Sequence, residues 1–142
     1  MALTQSTAKM LPSHSVLVAM YGATVGEYGI IATPMACNQA ICALLPNASY
    51  SYPYLYELIK YSKERLKNMA VGSAQQNVSQ ILIKQLPVHA QVCKVKQFND
   101  TVAASFQMIE ALTIENARLA YIRNCLLPKL MSGEIDVSNI QW

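Results

Sequence analysis

Residues 98–127 read FNDTVAASFQMIEALTIENARLAYIRNCLL. This stretch decides the fold, because it holds neither proline nor glycine and its apolar residues recur with a helical period. A seven-residue register places Phe98, Ser105, Leu112, Leu119 and Leu126 at one seam position. The other seam position holds Val102, Ile109, Asn116 and Arg123, and Ala103, Phe106 and Tyr121 broaden the stripe. No proline interrupts until Pro128, so the pattern predicts a helix of about 30 residues, roughly 45 Å at 1.5 Å per residue. A helix of that length outruns a small domain, and its stripe calls for a partner helix. Asn116, polar within the seam, reads as a device for register or partner choice. A long core helix that tolerates one asparagine is the plainer alternative.

Upstream of this helix the periodicity changes. Residues 15–20, 28–33 and 40–45 are short apolar runs punctuated by Gly22, Gly26, Pro34 and Pro46, which predicts β-strands. Apolar residues fall on both faces of these runs, as in a sheet covered on both sides. A helix is predicted from near Pro53, with Leu55, Leu58, Ile59, Ser62, Leu66 and Met69 on one buried stripe and Gly72 as its stop. Lys60, Lys63 and Lys67 share a different face. Residues 81–88 read as a further short apolar strand bounded by Pro87. The expected fold class is α+β. A small mixed β-rich domain with one packed helix spans residues 1–92. A long protruding helix (93–131) that forms a coiled coil with a partner follows, and then a tail (132–142).

Composition narrows the function. Of the 142 residues, 53% are hydrophobic and 13% charged. The charged share is low beside the roughly 25% usual in soluble domains, so part of the apolar surface is expected to lie under a partner or a second copy. No apolar run approaches the roughly 18 residues of a membrane span, and the first ten residues lack the pattern of a secretion signal. Cys37, Cys42, Cys93 and Cys125 stand singly, with no CxxC pair. They read as buried free thiols in a cytoplasmic protein without structural zinc.

The net charge of +3 is unevenly spread. Residues 51–98 carry seven basic residues against Glu57 and Glu64, whereas residues 99–142 carry three basic against five acidic. The middle third is therefore the candidate surface for a polyanion, with a solvated helix face as the alternative.

No catalytic constellation emerges, so an enzyme is not expected. His14 and His89 are the only histidines, and neither has a Cys, Asp or Glu at metal-ligand spacing. Glu27 stands alone in the β-rich part, where acid–base chemistry would want a pair. Residues 22–26, Gly-Ala-Thr-Val-Gly, lack the Lys-Ser/Thr ending of a phosphate loop and the third glycine of a dinucleotide fingerprint, so they read as a tight turn. Recognition is what remains. Residues 73–80 are uncharged and rich in amides and hydroxyls, able to offer donor and acceptor together as adenine edges require. An ordinary solvated loop has the same composition.

Four stretches in order carry a resemblance. They are Met20-Tyr-Gly-Ala-Thr-Val-Gly26 with Gly29-Ile-Ile31 and Cys37-Asn-Gln-Ala-Ile41; Gly72-Ser-Ala-Gln-Gln-Asn-Val-Ser79; Leu86-Pro-Val88 leading into Gln97-Phe98; and Leu126-Leu-Pro-Lys-Leu-Met-Ser-Gly-Glu-Ile135. Together they resemble the target-recognition domain of type I restriction–modification DNA specificity subunits, over about residues 15–136. Pro87-Val88-His89-Ala90-Gln91 departs from the family's Pro-Pro-Leu-x-x-Gln. The family also carries a further variable segment ahead of the glycine turn, and a full subunit has two domains and two long helices. The expectation is a truncated product, a cut fragment, or a half-subunit that works by pairing.

The resemblance implies a non-catalytic protein without cofactor or metal that reads half of a bipartite target in double-stranded DNA. Its long helix would pair with a second copy or a second specificity half through Phe98, Val102, Ile109, Leu112, Asn116, Leu119, Arg123 and Leu126. Methyltransferase subunits would dock beside it and supply the S-adenosylmethionine chemistry. Lys60, Lys63, Lys67 and Lys84 are the candidates for phosphate contact, and Tyr21, Thr24, Ser73, Gln75, Gln76 and Asn77 for groove-facing or loop-shaping roles. The rival reading is an assembly module that dimerises through residues 98–127, or caps a methyltransferase, without reading DNA.

Overall fold

Two valines, Val16 and Val18, and the helix that covers them organise the first part of the molecule. A computed structural model describes residues 9–70, 77–88 and 91–135. The chain divides into two units, Met1–Ala103 and Ala104–Trp142. The strands are β1 (Met10–Leu11), β2 (Val16–Ala19), β3 (Tyr28–Ile30), β4 (Met35–Ala36) and β5 (Ile41–Leu44).

All of these ladders are antiparallel. The main sheet has the order β3-β2-β5, and β1 pairs separately with β4. Val18 lies opposite Tyr28 on one side and Cys42 on the other, and Val16 opposite Ile30 and Leu44. Burial along β2 alternates: Val16 and Val18 are buried, Leu17 and Ala19 half-buried. That is the period-2 signature of β-branched residues on one sealed face. The sheet is thus sealed on one side and only half-covered on the other, where the sequence had suggested cover on both.

Helix α1 (Tyr52–Asn68) seals the face. Ser51 precedes it and Pro53 sits buried in its first turn, where the missing N–H has no helical partner to lose. Leu55, Ile59, Ser62 and Leu66 form its buried stripe, with Leu58 and Met69 half-buried, as the spacing predicts. Ile59, Leu66 and Val16 are wholly inaccessible, and each such aliphatic side chain contributes about 1.5–3 kcal/mol of hydrophobic free energy. Val25, Val78, Ile83 and Leu86 complete this core. The helix closes at Met69, whose N–H donates to the Arg65 carbonyl. Gly72, the expected stop, lies outside the described residues.

Residues 81–88 do not form the expected strand. They begin in a short helix, α2 (Gln80–Lys84), whose N-cap Ser79 accepts a hydrogen bond from the Leu82 N–H at 3.4 Å. Ile83 and Leu86, three apart, are the buried pair. Helical spacing together with a serine cap outweighs the β-branched composition that suggested extension.

Helix α3 (Val92–Met131) begins within the first unit, where Val95 is buried. In the second unit it runs from Ala104 to Met131 and contains Pro128 one turn before its end. It closes on Gly133 at φ +75°, with the Gly133 N–H donating to the Leu130 carbonyl, a left-handed ending that glycine adopts without strain. The cysteine expectation needs correction: Cys42 is buried and Cys37 half-buried, but Cys93 and Cys125 are exposed on α3. Val95 is the one buried residue of α3 among the described residues, so the helix has no interior in which to hide them. Among the described residues no helix is long and apolar enough to cross a membrane.

Candidate functional site

The glycine turn and the lysine face of α1 meet. Gly22–Thr24 forms a single 3-10 turn closed by the Val25 N–H on the Gly22 carbonyl, and Gly26 follows at φ +78°. A Cβ built on Gly26 would meet Lys67 Cγ at 3.4 Å and the Lys63 carbonyl at 3.7 Å. The turn therefore lies against one side of α1. Glu27, next in the chain, reaches Lys63 with both carboxylate oxygens, 2.8 Å from Oε1 and 2.9 Å from Oε2. The Lys63 ammonium also lies 5.6 Å from the centroid of the Tyr28 ring, and Tyr28 packs edge-on against Tyr56 at 5.1 Å.

The electrostatics follow from this contact. The hydrogen bond from Lys63 holds the Glu27 carboxyl below its ordinary range, and the charge of Lys67 acts in the same direction. The Glu27 bond in turn raises Lys63. Lys60 is raised by Glu57, 3.2 Å away and one turn back. Burial pushes the Tyr28 phenol up. Two of the three lysines on this face thus already hold a carboxylate, and Lys67 has no carboxylate partner among the described residues.

Other candidate residues are placed as follows. Tyr21, exposed, forms an isolated antiparallel bridge with Asn77. Beside it the Val78 N–H donates to the Met20 carbonyl at 2.9 Å. The end of the amide-rich loop is therefore tied to Met20 and Tyr21, which lead into the glycine turn, while Thr24, within that turn, accepts from the N–H of Glu27, the partner of Lys63. Ser73, Gln75 and Gln76 lie outside the described residues. Lys84 ends α2 and acts electrostatically on Cys42 of β5.

Sequence reading passed over Glu27, which looked isolated because its partner is 36 residues away. No local signal marks that pair; only the docking of turn on helix creates it. It also passed over an open groove of about 830 Å³ beside α1, lined by Tyr54, Leu58, Tyr61, Arg65, Lys94 and Phe98. Phe98, expected in the pairing seam, is half-buried and sits edge-on to Tyr54 at 6.4 Å. Val102 is likewise half-buried. In the second unit Ile109, Leu112, Leu119 and Leu126 are 60%, 56%, 53% and 43% exposed. Asn116 and Arg123 are exposed with them, and Arg123 donates to the Asn124 Oδ1 at 3.0 and 3.1 Å. Among the described residues no group of three His, Cys, Asp or Glu side chains is placed to hold a metal ion.

Comparison with known proteins places this architecture. Residues 2–90 match the family model for the type I restriction modification DNA specificity domain. The chain is 30% identical over 131 residues to the type I restriction enzyme HindI specificity subunit of Haemophilus influenzae, covering 89% of this chain and 28% of that protein. The fold is similar to the crystal structure of the S subunit of a type I restriction–modification system from M. genitalium, with a TM-score of 0.63 at 20% identity. That match covers 87% of this chain and 34% of the S subunit. The chain thus spans about a third or less of the length of these relatives.

Proposed function

Because the chain belongs to the type I restriction–modification DNA specificity family, we propose that it recognises double-stranded DNA as part of a restriction–modification assembly, reading half of a bipartite target without catalysing a reaction. One observation carries this reading: the glycine turn lies against Lys63 and Lys67 of α1, and Tyr21 at its start is bridged to Asn77 at the end of the amide-rich loop. Lys67, with Lys60 and Lys63, would position the domain on phosphates. Such contacts set register and orientation without selecting sequence. Tyr21, Thr24 and Asn77, with Ser73, Gln75 and Gln76 of the loop, would face the groove, where side-chain donors and acceptors distinguish base pairs. Lys84 would serve a phosphate farther along the backbone.

The exposed stripe Ile109, Leu112, Leu119 and Leu126 would pair with a second copy or a second specificity half, with Asn116 fixing the register. Polar seam residues act this way in helical pairs. Methyltransferase subunits would dock on the assembly and bring the chemistry.

The test is binding of a short mixed-sequence duplex by the full chain, alone and with a methyltransferase subunit, across a salt series. The reading expects association whose logarithmic constant falls linearly with the logarithm of salt, by about 0.9 per phosphate contacted. Binding that ignores salt, or no binding under either condition, refutes it. The second reading, an assembly module that pairs through α3 without touching DNA, is favoured by the neutralisation of Lys60 and Lys63 by carboxylates. A stable complex with the methyltransferase subunit that adds nothing to duplex affinity would establish it.

A further inference from the structure

A carboxylate in the middle of a face offered to phosphates needs a reason. Glu27 is half-exposed, yet it engages Lys63 with both oxygens and feels the charge of Lys67 in the same direction, while the Lys63 ammonium lies beside the Tyr28 ring. The Lys63 side chain is only 27% exposed, while that of Glu27 is 53% exposed. The lysine is therefore the held partner, and the carboxylate is the one with room to swing away. Against a phosphate backbone the arrangement is unfavourable twice over. Lys63 is already neutralised, and Glu27 presents like charge to the approaching strand. An exposed ion pair of this kind is weak, so it is readily exchanged when something better is offered to each partner.

Base edges in the major groove can offer that. A carboxylate is the side chain suited to accept from the exocyclic amino group of cytosine, while a lysine freed at the same moment takes a phosphate. We propose that Glu27 is a specificity determinant. It masks Lys63 against duplex of arbitrary sequence and releases it where a cytosine amino group donates to the carboxylate in its place. The turn that presents Glu27 is tied to Tyr21 and, through Tyr21, to the loop end at Asn77, so the exchange takes place among the other candidate reading residues. This inference rests on the DNA-recognition reading above.

The experiment compares the full wild-type chain with Glu27→Gln, Lys63→Gln, Lys67→Gln and the double variant Glu27→Gln/Lys63→Gln. Each is titrated with a mixed-sequence duplex across a salt series, and each is also used to select from a randomised duplex pool. Glu27→Gln should raise affinity for mixed sequence by about two- to fivefold, the scale of freeing one exposed ion pair. It should also steepen the salt slope by about 0.9, one phosphate more. The double variant should return to the wild-type slope, and Lys63→Gln alone should change it little. In selection, the wild type should enrich cytosine at one position, and Glu27→Gln should move that preference to adenine, which an amide matches. Unchanged slope and unchanged base preference in Glu27→Gln, with Lys67→Gln still weakening binding, would overturn the role of Glu27 and leave DNA recognition standing. Absence of duplex binding in every protein, including wild type, would overturn both together.

Discussion

Gly26 and Gly29 lie three residues apart in the same turn and strand, and replacing each with alanine should shift stability in opposite directions. Gly26 has φ +78°, and a Cβ there finds Lys67 Cγ at 3.4 Å and the Lys63 carbonyl at 3.7 Å. Those distances are ordinary contacts, so the penalty for Gly26→Ala is conformational rather than steric. Holding an L-residue in the left-handed region costs about 1–2 kcal/mol. Gly29 sits in β3 opposite Leu17, outside the left-handed region, and a Cβ there meets nothing within 4 Å. Glycine inside a strand costs about 0.5–1 kcal/mol relative to alanine because the unfolded chain has more freedom to lose. Gly29→Ala should therefore stabilise by up to that amount. With a urea m-value of about 2 kcal/mol/M, the midpoint should fall by about 0.5–1 M for Gly26→Ala and rise by about 0.25–0.5 M for Gly29→Ala. Circular dichroism of the first unit's transition, with m unchanged between variants, is the assay. Midpoints that move in the same direction, or a Gly26→Ala protein as stable as wild type, would refute the assignment of turn and strand roles.

Three further outcomes are expected. Ser51 stands at the N-cap of α1, but its hydroxyl is buried without a hydrogen-bond partner among the described residues. Ser51→Ala should therefore leave the urea midpoint unchanged or raised, where a working serine cap would lose about 1 kcal/mol. In carboxyl-detected NMR titration Glu27 should ionise below the ordinary glutamate range and return toward it in Lys63→Gln. Because its folded pKa is depressed, its contribution to stability is present above the ordinary glutamate pKa and is lost as pH falls through the folded value; a Glu27 pKa indifferent to Lys63→Gln would contradict the ion pair. Sedimentation velocity should show self-association that Leu112→Asp and Leu119→Asp abolish and Asn116→Leu strengthens. A wild-type chain that is monomeric at every concentration would exclude pairing between copies.

What the sequence revealed and what it hid divide along a physical line. Features written in local periodicity were legible. The stripe from Leu55 to Leu66 and the uninterrupted helix from Val102 to Leu126 each follow from spacing that one helix imposes, whereas apolar residues on both faces of β2 hid the alternation that buries Val16 and Val18 alone. The segment after Ser79 misled because five residues are too few for periodicity to distinguish helix from strand. A cap that ties Ser79 to the Leu82 N–H settled the matter. The site was legible as residue types and illegible as geometry. Lys63 and Lys67 could be placed on one helical face from their numbering. Nothing in the chain near either of them announces that Glu27 is bound there, or that Phe98 lies against Tyr54. Contacts between distant segments are properties of the packed molecule and have no local record.

The tie between Tyr21 and Asn77, with its neighbour between Val78 and Met20, is made by main-chain groups. A bond between backbones places no demand on which side chains flank it. The side chains of Tyr21 and Asn77 can accordingly be exchanged by mutation while the fastening between their backbones persists. That separates the rate at which the side chains of this surface drift from the rate at which their scaffold decays, and lets new side chains be sampled without refolding the protein that carries them.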